Sequence, residues 1–384
     1  MIERLRPHAA KIIIAGIILI TTLEWNFAEW YAVFTPYGTL ITFTVFVLTS
    51  ISCLDIKATI KDPVFWLMVG TAAFALLNLF IIHSNKGCIL VILNTCASLY
   101  LMNKISFTKI EKYVVLGLLA FYFFYWTIDV KGYFKGYNTN YGGLILITGF
   151  ACLMVLSEFF TTYLRENPKK WGWVYIPVEI FFIVVAFRII AWYRSRTALI
   201  GLIVLLALKF IPIGIIKNKA VYILLTLIAT VGGVLTSLAY IGLGKLKEYI
   251  NLQLFYKDLI SGREVLWKEL WGAFIKSPIT GIGSSYQVKT DFMFGMLEVH
   301  NGMLDILIIH GIIVFIPICL LLTKRILERK EAVCDNRINK MIFAAIICMM
   351  VTSYFENYII VQPFSLALFS LLSMLNGTQE NSNC

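Results

Sequence analysis

Three arginines lie close together in one part of this 384-residue chain, and their spacing suits the binding of a diphosphate. Arg188, Arg194 and Arg196 flank a turn between two apolar runs. Guanidinium groups hold phosphate oxygens in a bidentate manner, which a lysine ammonium cannot do. Charges at a membrane rim are costly and usually serve function. We therefore expect an anion site here, the alternative being arginines that extend to lipid headgroups.

His300 and Asn301 stand where a long polar segment meets the next apolar run. Histidine titrates near neutral pH and can take a proton during catalysis, and Asn301 is placed to orient it. The alternative is a histidine that caps the helix or lies at the membrane interface. Glu356, between the last two apolar runs, is a second acid–base group, an arginine partner or an exposed carboxylate.

The elements that must position these residues are membrane helices. The chain is 59% hydrophobic and 14% charged with a mean hydropathy of +0.82, whereas soluble proteins are about a quarter charged. About twelve apolar runs are long enough to cross a hydrocarbon core of about 30 Å. They are 10–29, 37–54, 63–83, 88–103, 112–130, 143–163, 172–192, 197–216, 220–243, 301–323, 341–356 and 358–376. We predict an all-α, polytopic integral membrane protein with about 12 transmembrane helices and one long, helical extracytoplasmic loop.

The distribution of lysine and arginine orients this bundle. With both termini in the cytoplasm, every inner connection is basic, as the positive-inside rule requires. The exceptions are the outer pairs Lys131/Lys135 and Arg194/Arg196. The prediction divides the chain into helices 1–9 (1–243), an extracytoplasmic loop (244–300), and helices 10–12 with a short cytoplasmic tail (301–384).

The long loop contains two predicted helices. The first, Lys245 to Leu259, has the pattern of an amphipathic helix in the membrane interface. The second runs from 262 to 277, with Ser261 and Glu264 as a capping box, Pro278 as its end, and glycines 281 and 283 as a flexible joint. Arg263 falls in the first turn, against the helix dipole, so it has either an anionic partner or full solvation.

Other classes of function find no support in the sequence. The net charge of +11 follows from the topological bias, and no basic stripe with interleaved aromatics indicates nucleic-acid binding. Neither a zinc motif, a P-loop nor a dinucleotide fingerprint occurs, so we predict no metal and no cofactor. The loop KGYFKGYNTNYGG at 131–143 suits a sugar-binding surface, although an ordinary polar turn explains it better.

Several short motifs together resemble the O-antigen ligase and Wzy-type polysaccharide polymerase family. They are Ser195-Arg196 opening an apolar run, Ser261-Gly262-Arg263 with Trp267, Pro278-x-x-Gly281-x-Gly283, His300-Asn301, the asparagine-rich stretch 137–142 with Asn140, and Glu356. The resemblance is strongest over 185–320.

The resemblance implies a bacterial inner-membrane glycosyltransferase of the C type that works on the outer face without a metal. Its donor would be a polyprenyl (undecaprenyl) diphosphate-linked oligosaccharide, held by Arg196 and Arg263. Arg188 and Arg194 have no assigned role in the family, and we expect them to be further contacts to the diphosphate because of their charge. His300 would activate the acceptor, and Asn301, Glu356 and Asn140 would support the site. Membrane lipids, a flippase and a chain-length regulator are the expected partners.

Polymerisation of lipid-linked repeat units is our preferred interpretation, with inversion at the anomeric carbon. Ligation of a finished glycan to a terminal acceptor uses the same motifs. A flippase or other transporter would show repeated halves and broken helices at the membrane midplane. A scaffold without chemistry leaves the outer arginines unexplained.

Overall fold

The computed structural model describes residues 50–102, 104–133, 139–166, 173–244, 253–254, 257–258, 262–289, 298–357, 360–361 and 364–375, with isolated positions 16 and 48. Its helices are α1 (Ile56–Lys61), α2 (Pro63–Ile81), α3 (Lys86–Leu101), α4 (Lys109–Tyr133), α5 (Thr139–Glu166), α6 (Tyr175–Tyr193), α7 (Arg196–Phe210), α8 (Ile213–Lys217), α9 (Lys219–Gly244), α10 (Arg263–Phe274), α11 (Gly302–His310), α12 (Ile312–Leu327), α13 (Lys330–Asp335), α14 (Arg337–Thr352) and α15 (Phe364–Met374). A short antiparallel pair, β1 (Gln253–Leu254) and β2 (Lys257–Asp258), completes the set.

Four helices among the described residues are long and apolar enough to cross a membrane: Pro63–Ile81, Gly142–Leu164, Tyr175–Tyr193 and Lys219–Gly244. The predicted number of about twelve is not reached in this part of the chain. The run 10–29 lies almost wholly outside it, and the run 37–54 lies outside it up to residue 49 except for residue 48. Two others are divided, 197–216 at Ile211-Pro212 and 301–323 at Gly311, and each yields two shorter helices. A protein with several apolar helices of this length is a membrane protein.

Helices α5 and α14 form the centre of the bundle, whereas α6 lies at its periphery. Every residue of α14 from Met341 to Thr352 is buried, and so is all of α15. On α6 only three residues are buried, and large apolar side chains such as Phe181 and Ile180 are exposed. Exposed apolar side chains on a long helix are expected where lipid is the solvent.

The two ends of the helical bundle differ in the helix termini and in the basic residues that they contain. At one end lie the beginnings of α5, α7 and α11 and the ends of α6, α9 and α14; we call this the Ser195 end. At the other lie the ends of α5 and α7 and the beginnings of α6, α9 and α14, which we call the Lys209 end. The Lys209 end is rich in basic residues: Lys61, Lys104, Lys109, Lys217, Lys219, Lys324, Arg325, Arg329, Lys330, Arg337 and Lys340. Which end faces the cytoplasm stays a prediction.

The segment after α10 is packed tightly, not flexibly as predicted. It lies against the break between α11 and α12, where Ile282 N–H donates to Ile308 O (2.9 Å) and Gly283 N–H donates to Ile309 O (3.1 Å). Ile312 N–H donates in return to Pro278 O (2.9 Å). Gly281, Gly283 and Gly311 all have φ near +75 to +80°, which side chains with a Cβ rarely adopt. The broken helix therefore satisfies its free backbone groups with this segment.

The first predicted loop helix is wrong where the structure describes it. Residues 253–254 and 257–258 pair as antiparallel strands, with Gln253 opposite Asp258 and Leu254 opposite Lys257. The periodicity of a short apolar and aromatic run does not by itself separate a helix from a strand. Here β-pairing satisfies the hydrogen-bonding groups of the backbone. The remainder of 245–259 lies outside the described residues.

Candidate active site

An arginine–carboxylate pair forms the centre of the candidate site at the Ser195 end. Arg263 Nη2 donates to Glu356 Oε1 (3.0 Å) and to Phe355 O (2.8 Å). The guanidinium also lies over the Phe355 ring, with its carbon 5.9 Å from the centroid. The side chains of Arg263 and Glu356 are only 12% and 9% exposed. Of the two alternatives for Arg263, the anionic partner is the one observed.

His300 joins the same carboxylate from the other side. Its Nδ1 lies 3.2 Å from Glu356 Oε2, so the two oxygens of Glu356 serve Arg263 and His300 separately. Its Nε2 lies 3.3 Å from Glu298 Oε2, and the Glu298 side chain is 62% exposed. The imidazole is thus held between a buried carboxylate and an exposed one.

Asn301 fixes the backbone that carries His300. Its side-chain oxygen accepts from Leu304 N–H (3.0 Å), which makes Asn301 the N-cap of α11. Its amide donates to Gly233 O (2.7 Å) on α9, and the residue is fully buried. His300 therefore lies before the helix rather than in its first turn, with a left-handed φ of 53°. Asn301 caps more favourably than histidine, so the helix begins one residue later than predicted.

The tryptophans of α10 hold Arg263 in place. Trp267 is fully buried and donates its Nε1–H to Val299 O (2.8 Å), directly before His300. Trp271 donates to Ser237 Oγ (3.1 Å) on α9. The N-cap of α10 is Gly262, at φ 87° and without a side-chain bond. The capping box predicted for Ser261 and Glu264 is therefore wrong; Ser261 lies outside the described residues, and Glu264 is buried.

The structure separates the three corner arginines by burial. Arg196 is the first residue of α7 and is buried, while Ser195 caps that helix by accepting from Ala198 N–H (3.3 Å). Arg194 is exposed in a left-handed conformation at the end of α6, and Arg188 is exposed on α6 itself. Arg196 is therefore the corner arginine that the fold places in the protein interior.

The start of α5 packs on this corner. A Cβ on Gly142 would collide with the Tyr193 ring, and one on Gly143 with the Ser195 side chain, so both glycines permit the close approach. Asn140, one turn earlier, is buried. Gly142, the last residue of the asparagine-rich stretch 137–142, therefore lies against the arginine corner; residues 134–138 lie outside the described part.

Tyr240, near the end of α9, links the two arginine sites. Its phenol lies within electrostatic range of both Arg196 and Arg263. Its ring contacts Trp267 and Phe355, with centroids 5.4 and 5.6 Å apart respectively. Arg196 and Arg263, 67 positions apart in the sequence, therefore lie around one tyrosine at the Ser195 end.

Sequence reasoning missed Glu298, Tyr240 and the carbonyl of Phe355. The position of Glu298 could have been predicted from the sequence. It precedes His300 by two residues, and residues two apart in an extended segment lie on the same side. No side-chain pattern identifies a backbone carbonyl as a partner. In the described residues, no group of three His, Cys, Asp or Glu side chains is placed to hold a metal ion.

Comparison with known proteins points to one family. A family model described as O-antigen ligase matches residues 181–319, which include Arg196, Arg263 and His300, while Asn140 and Glu356 lie outside the match. No curated protein and no solved structure gives a significant match. The matched region covers less than half of the chain. It supports the O-antigen ligase family and indicates a membrane enzyme that processes glycans.

Proposed function

We propose that this protein is a membrane glycosyltransferase that polymerises polyprenyl diphosphate-linked oligosaccharide repeat units. The observation that carries the proposal is the Arg263–Glu356–His300 cluster, in which a phosphate-binding group and a proton acceptor share one carboxylate. Ionisable side chains inside a membrane bundle are costly and usually mark a functional site.

The arginines supply the electrostatic part of the reaction. When the bond between the anomeric carbon and the bridging oxygen breaks, the electron pair leaves with the polyprenyl diphosphate. Arg196 and Arg263 are proposed to bind this growing negative charge, which stabilises the transition state more than the ground state. Arg188 and Arg194 are exposed and are proposed to guide the anionic donor toward the site.

His300 is proposed to accept the proton of the acceptor hydroxyl as that oxygen attacks the anomeric carbon. In the tautomer with a proton on Nδ1, this nitrogen donates to Glu356 and leaves the Nε2 lone pair available. The arrangement follows the logic of a base held in one tautomer by a buried carboxylate. In this tautomer Nε2 has no proton to donate to Glu298 Oε2, which lies 3.3 Å away, so Glu298 moves aside and the acceptor hydroxyl takes its place. Attack opposite to the leaving group inverts the anomeric configuration.

Ligation to a terminal acceptor is the second candidate, because the matching family model is described as O-antigen ligase. The two functions share a donor and differ only in the acceptor. The groups at His300 and Glu298 accept a sugar hydroxyl in either case, so the residues named here serve both.

An assay with purified protein in lipid bilayers and synthetic lipid-linked repeat units tests the proposal. A ladder of products on polyprenyl diphosphate supports polymerisation, whereas transfer only to an added non-polyprenyl acceptor supports ligation. Arg263→Lys keeps the charge but removes the bidentate geometry and should lower the rate at least tenfold. Lys268→Gln, on the exposed side of α10, is the matched control. Wild-type rates for a folded Arg263→Ala or His300→Ala variant refute the assigned roles.

A further inference from the structure

A cavity of about 590 Å³ lies at the Lys209 end, away from the Arg263–Glu356 cluster. One wall is the peripheral helix α6, through Ile176, Ile180 and Ile183. The opposite wall comes from the last part of α5, the end of α7, the α7–α8 corner and the first turn of α14. It carries Glu158, Lys209, Arg337 and Lys340. The α6 wall is therefore mostly apolar, with Glu179 as its charged residue, and the other charged side chains lie on the opposite wall.

Among the described residues that line or adjoin this cavity, the charges leave one cation in excess. Lys209 Nζ lies 2.7 Å from Glu179 Oε1 and 3.4 Å from Glu158 Oε2. Lys340 Nζ donates to the carbonyls of Lys209 (2.8 Å) and Ile211 (2.6 Å), where α7 ends. The two carboxylates are thus matched by the two ammonium groups. Arg337 adds a third positive charge, and its side chain is exposed.

The apolar wall opens toward the surroundings of the bundle. Ile176 and Ile180 line the cavity and are 48% and 55% exposed. Helix α6 is one of the four helices able to span a membrane, so its exposed face contacts acyl chains. A ligand that fits both walls has a hydrocarbon chain and a small anionic headgroup.

We propose that this cavity binds an anionic phospholipid from the membrane leaflet at the Lys209 end. The phosphodiester contacts the Arg337 guanidinium, and an acyl chain lies along Ile176 and Ile180. Arginine matches phosphate oxygens in geometry and charge, and basic pockets between membrane helices hold lipid headgroups. The bound lipid connects α6, which carries Arg188 and Arg194, to the central helix α14. This inference does not depend on the glycan chemistry at the Ser195 end.

Native mass spectrometry of the full-length protein in detergent tests the site. The protein is mixed with equal amounts of phosphatidylglycerol and phosphatidylethanolamine that have identical acyl chains. We expect phosphatidylglycerol to be retained preferentially, with its affinity about fivefold lower in Arg337→Gln, from roughly 1 kcal/mol per basic residue. Ile180→Trp fills the cavity without a change of charge and should reduce the retention of both lipids.

Lys324→Gln is the matched control, because Lys324 is exposed at the same end, has its partner Glu328 at 3.7 Å, and lies outside the cavity. Equal retention of the two phospholipids overturns the proposal. So does an equal loss of affinity in Lys324→Gln and Arg337→Gln, because it indicates diffuse attraction to a basic surface. Arg337 is exposed, so its variant should fold; thermal melting and size-exclusion profiles verify this, and the charge comparison remains decisive even if Ile180→Trp is unstable.

Discussion

Two buried charge networks occupy opposite ends of this bundle, and they are built on different kinds of backbone. At the Ser195 end, Arg263 follows the left-handed Gly262, His300 is itself left-handed, and Glu356 lies beyond the end of α14. At the Lys209 end, Glu158 and Lys209 project from regular helices. Ion pairs between regular helices fix how those helices pack. Groups on chain connections can change partners without moving a helix, which a substrate site requires.

Access to solvent separates the networks further. The Ser195-end network ends in Glu298, whose side chain is 62% exposed. An acceptor can therefore reach the ring of His300 if it displaces the Glu298 carboxylate. In the Lys209-end network the side chains of Lys209, Glu158 and Glu179 are 8%, 9% and 13% exposed. We infer that the first network serves chemistry and the second serves stability, and four experiments examine that division.

The largest effect is expected for Glu356→Gln. The amide keeps the size of the carboxylate but removes the negative charge shared by Arg263 and His300, so the proton acceptor loses its orienting partner. Transfer activity should fall on the order of 10²-fold or more. The measurement is the initial rate with lipid-linked repeat units. A rate within twofold of wild type would remove Glu356 from the mechanism and erase the distinction between the two ends.

Lys209→Met should act on stability. It leaves Glu158 and Glu179 without the ammonium group between them, and breaking a buried pair in this way costs on the order of 3 kcal/mol. The measurement is the midpoint of thermal unfolding in detergent, with the exposed Lys324→Met as control. Melting at the wild-type temperature would mean that the Lys209 network does not hold the helices together.

Neighbouring residues at the Ser195 end should separate activity from stability. Asn301→Ala removes a helix cap and a bond to Gly233 O, and should lower the unfolding free energy by about 1–2 kcal/mol. His300→Gln should abolish most of the transfer activity with little change in melting. If both variants show equal losses of stability and activity, the site and its scaffold cannot be distinguished by these positions.

The smallest effect is expected at Asp62, which contacts Lys104 at 2.7 Å near the Lys209 end. Burial raises the Asp62 pKa, but bonds from Lys104 and Val64 N–H outweigh burial, and the pKa is lowered overall. Asn retains the cap on α2, so Asp62→Asn should cost only about 0.5 kcal/mol at neutral pH, given the exposure of Lys104.

A lowered carboxyl pKa stabilises the fold fully above the unfolded-state value of 3.8, and this effect is lost as the pH falls through the lower folded-state value. The difference between the two proteins should therefore shrink as the pH falls below 3.8 and disappear once Asp62 is protonated in the folded state. Melting curves of both proteins across this range provide the measurement. A difference that grows on acidification would contradict the assignment of the ion pair.

The sequence predicts the long unbroken helices closely, since an apolar run of sufficient length can satisfy its backbone in lipid only as a helix. The runs 63–83, 143–163, 172–192 and 220–243 all fall within a few residues of helices in the structure. It does not predict the break at Gly311. That break depends on bonds from Ile282 and Gly283, which are distant in sequence and have no side-chain pattern of their own.

The candidate site shows the same limit. Arg263, His300 and Glu356 are recognisable because their charges are unusual beside apolar runs, and the structure brings them together. The burial of Arg196 in contrast to Arg188 and Arg194 depends on where α6 ends. Helix α6 ends at Arg194, which has a left-handed backbone conformation. An arginine side chain does not predict that conformation.

The packing of the segment Pro278–Gly283 against Gly311 also positions the candidate site. This segment follows the helix of Arg263, and the broken helix follows His300, so main-chain bonds between them set the spacing of the two groups. The contact itself requires glycine at 281, 283 and 311, because a side chain with a Cβ rarely adopts their backbone conformation. The separation of the Arg263 guanidinium and the His300 imidazole is therefore tied to three glycines that touch neither group.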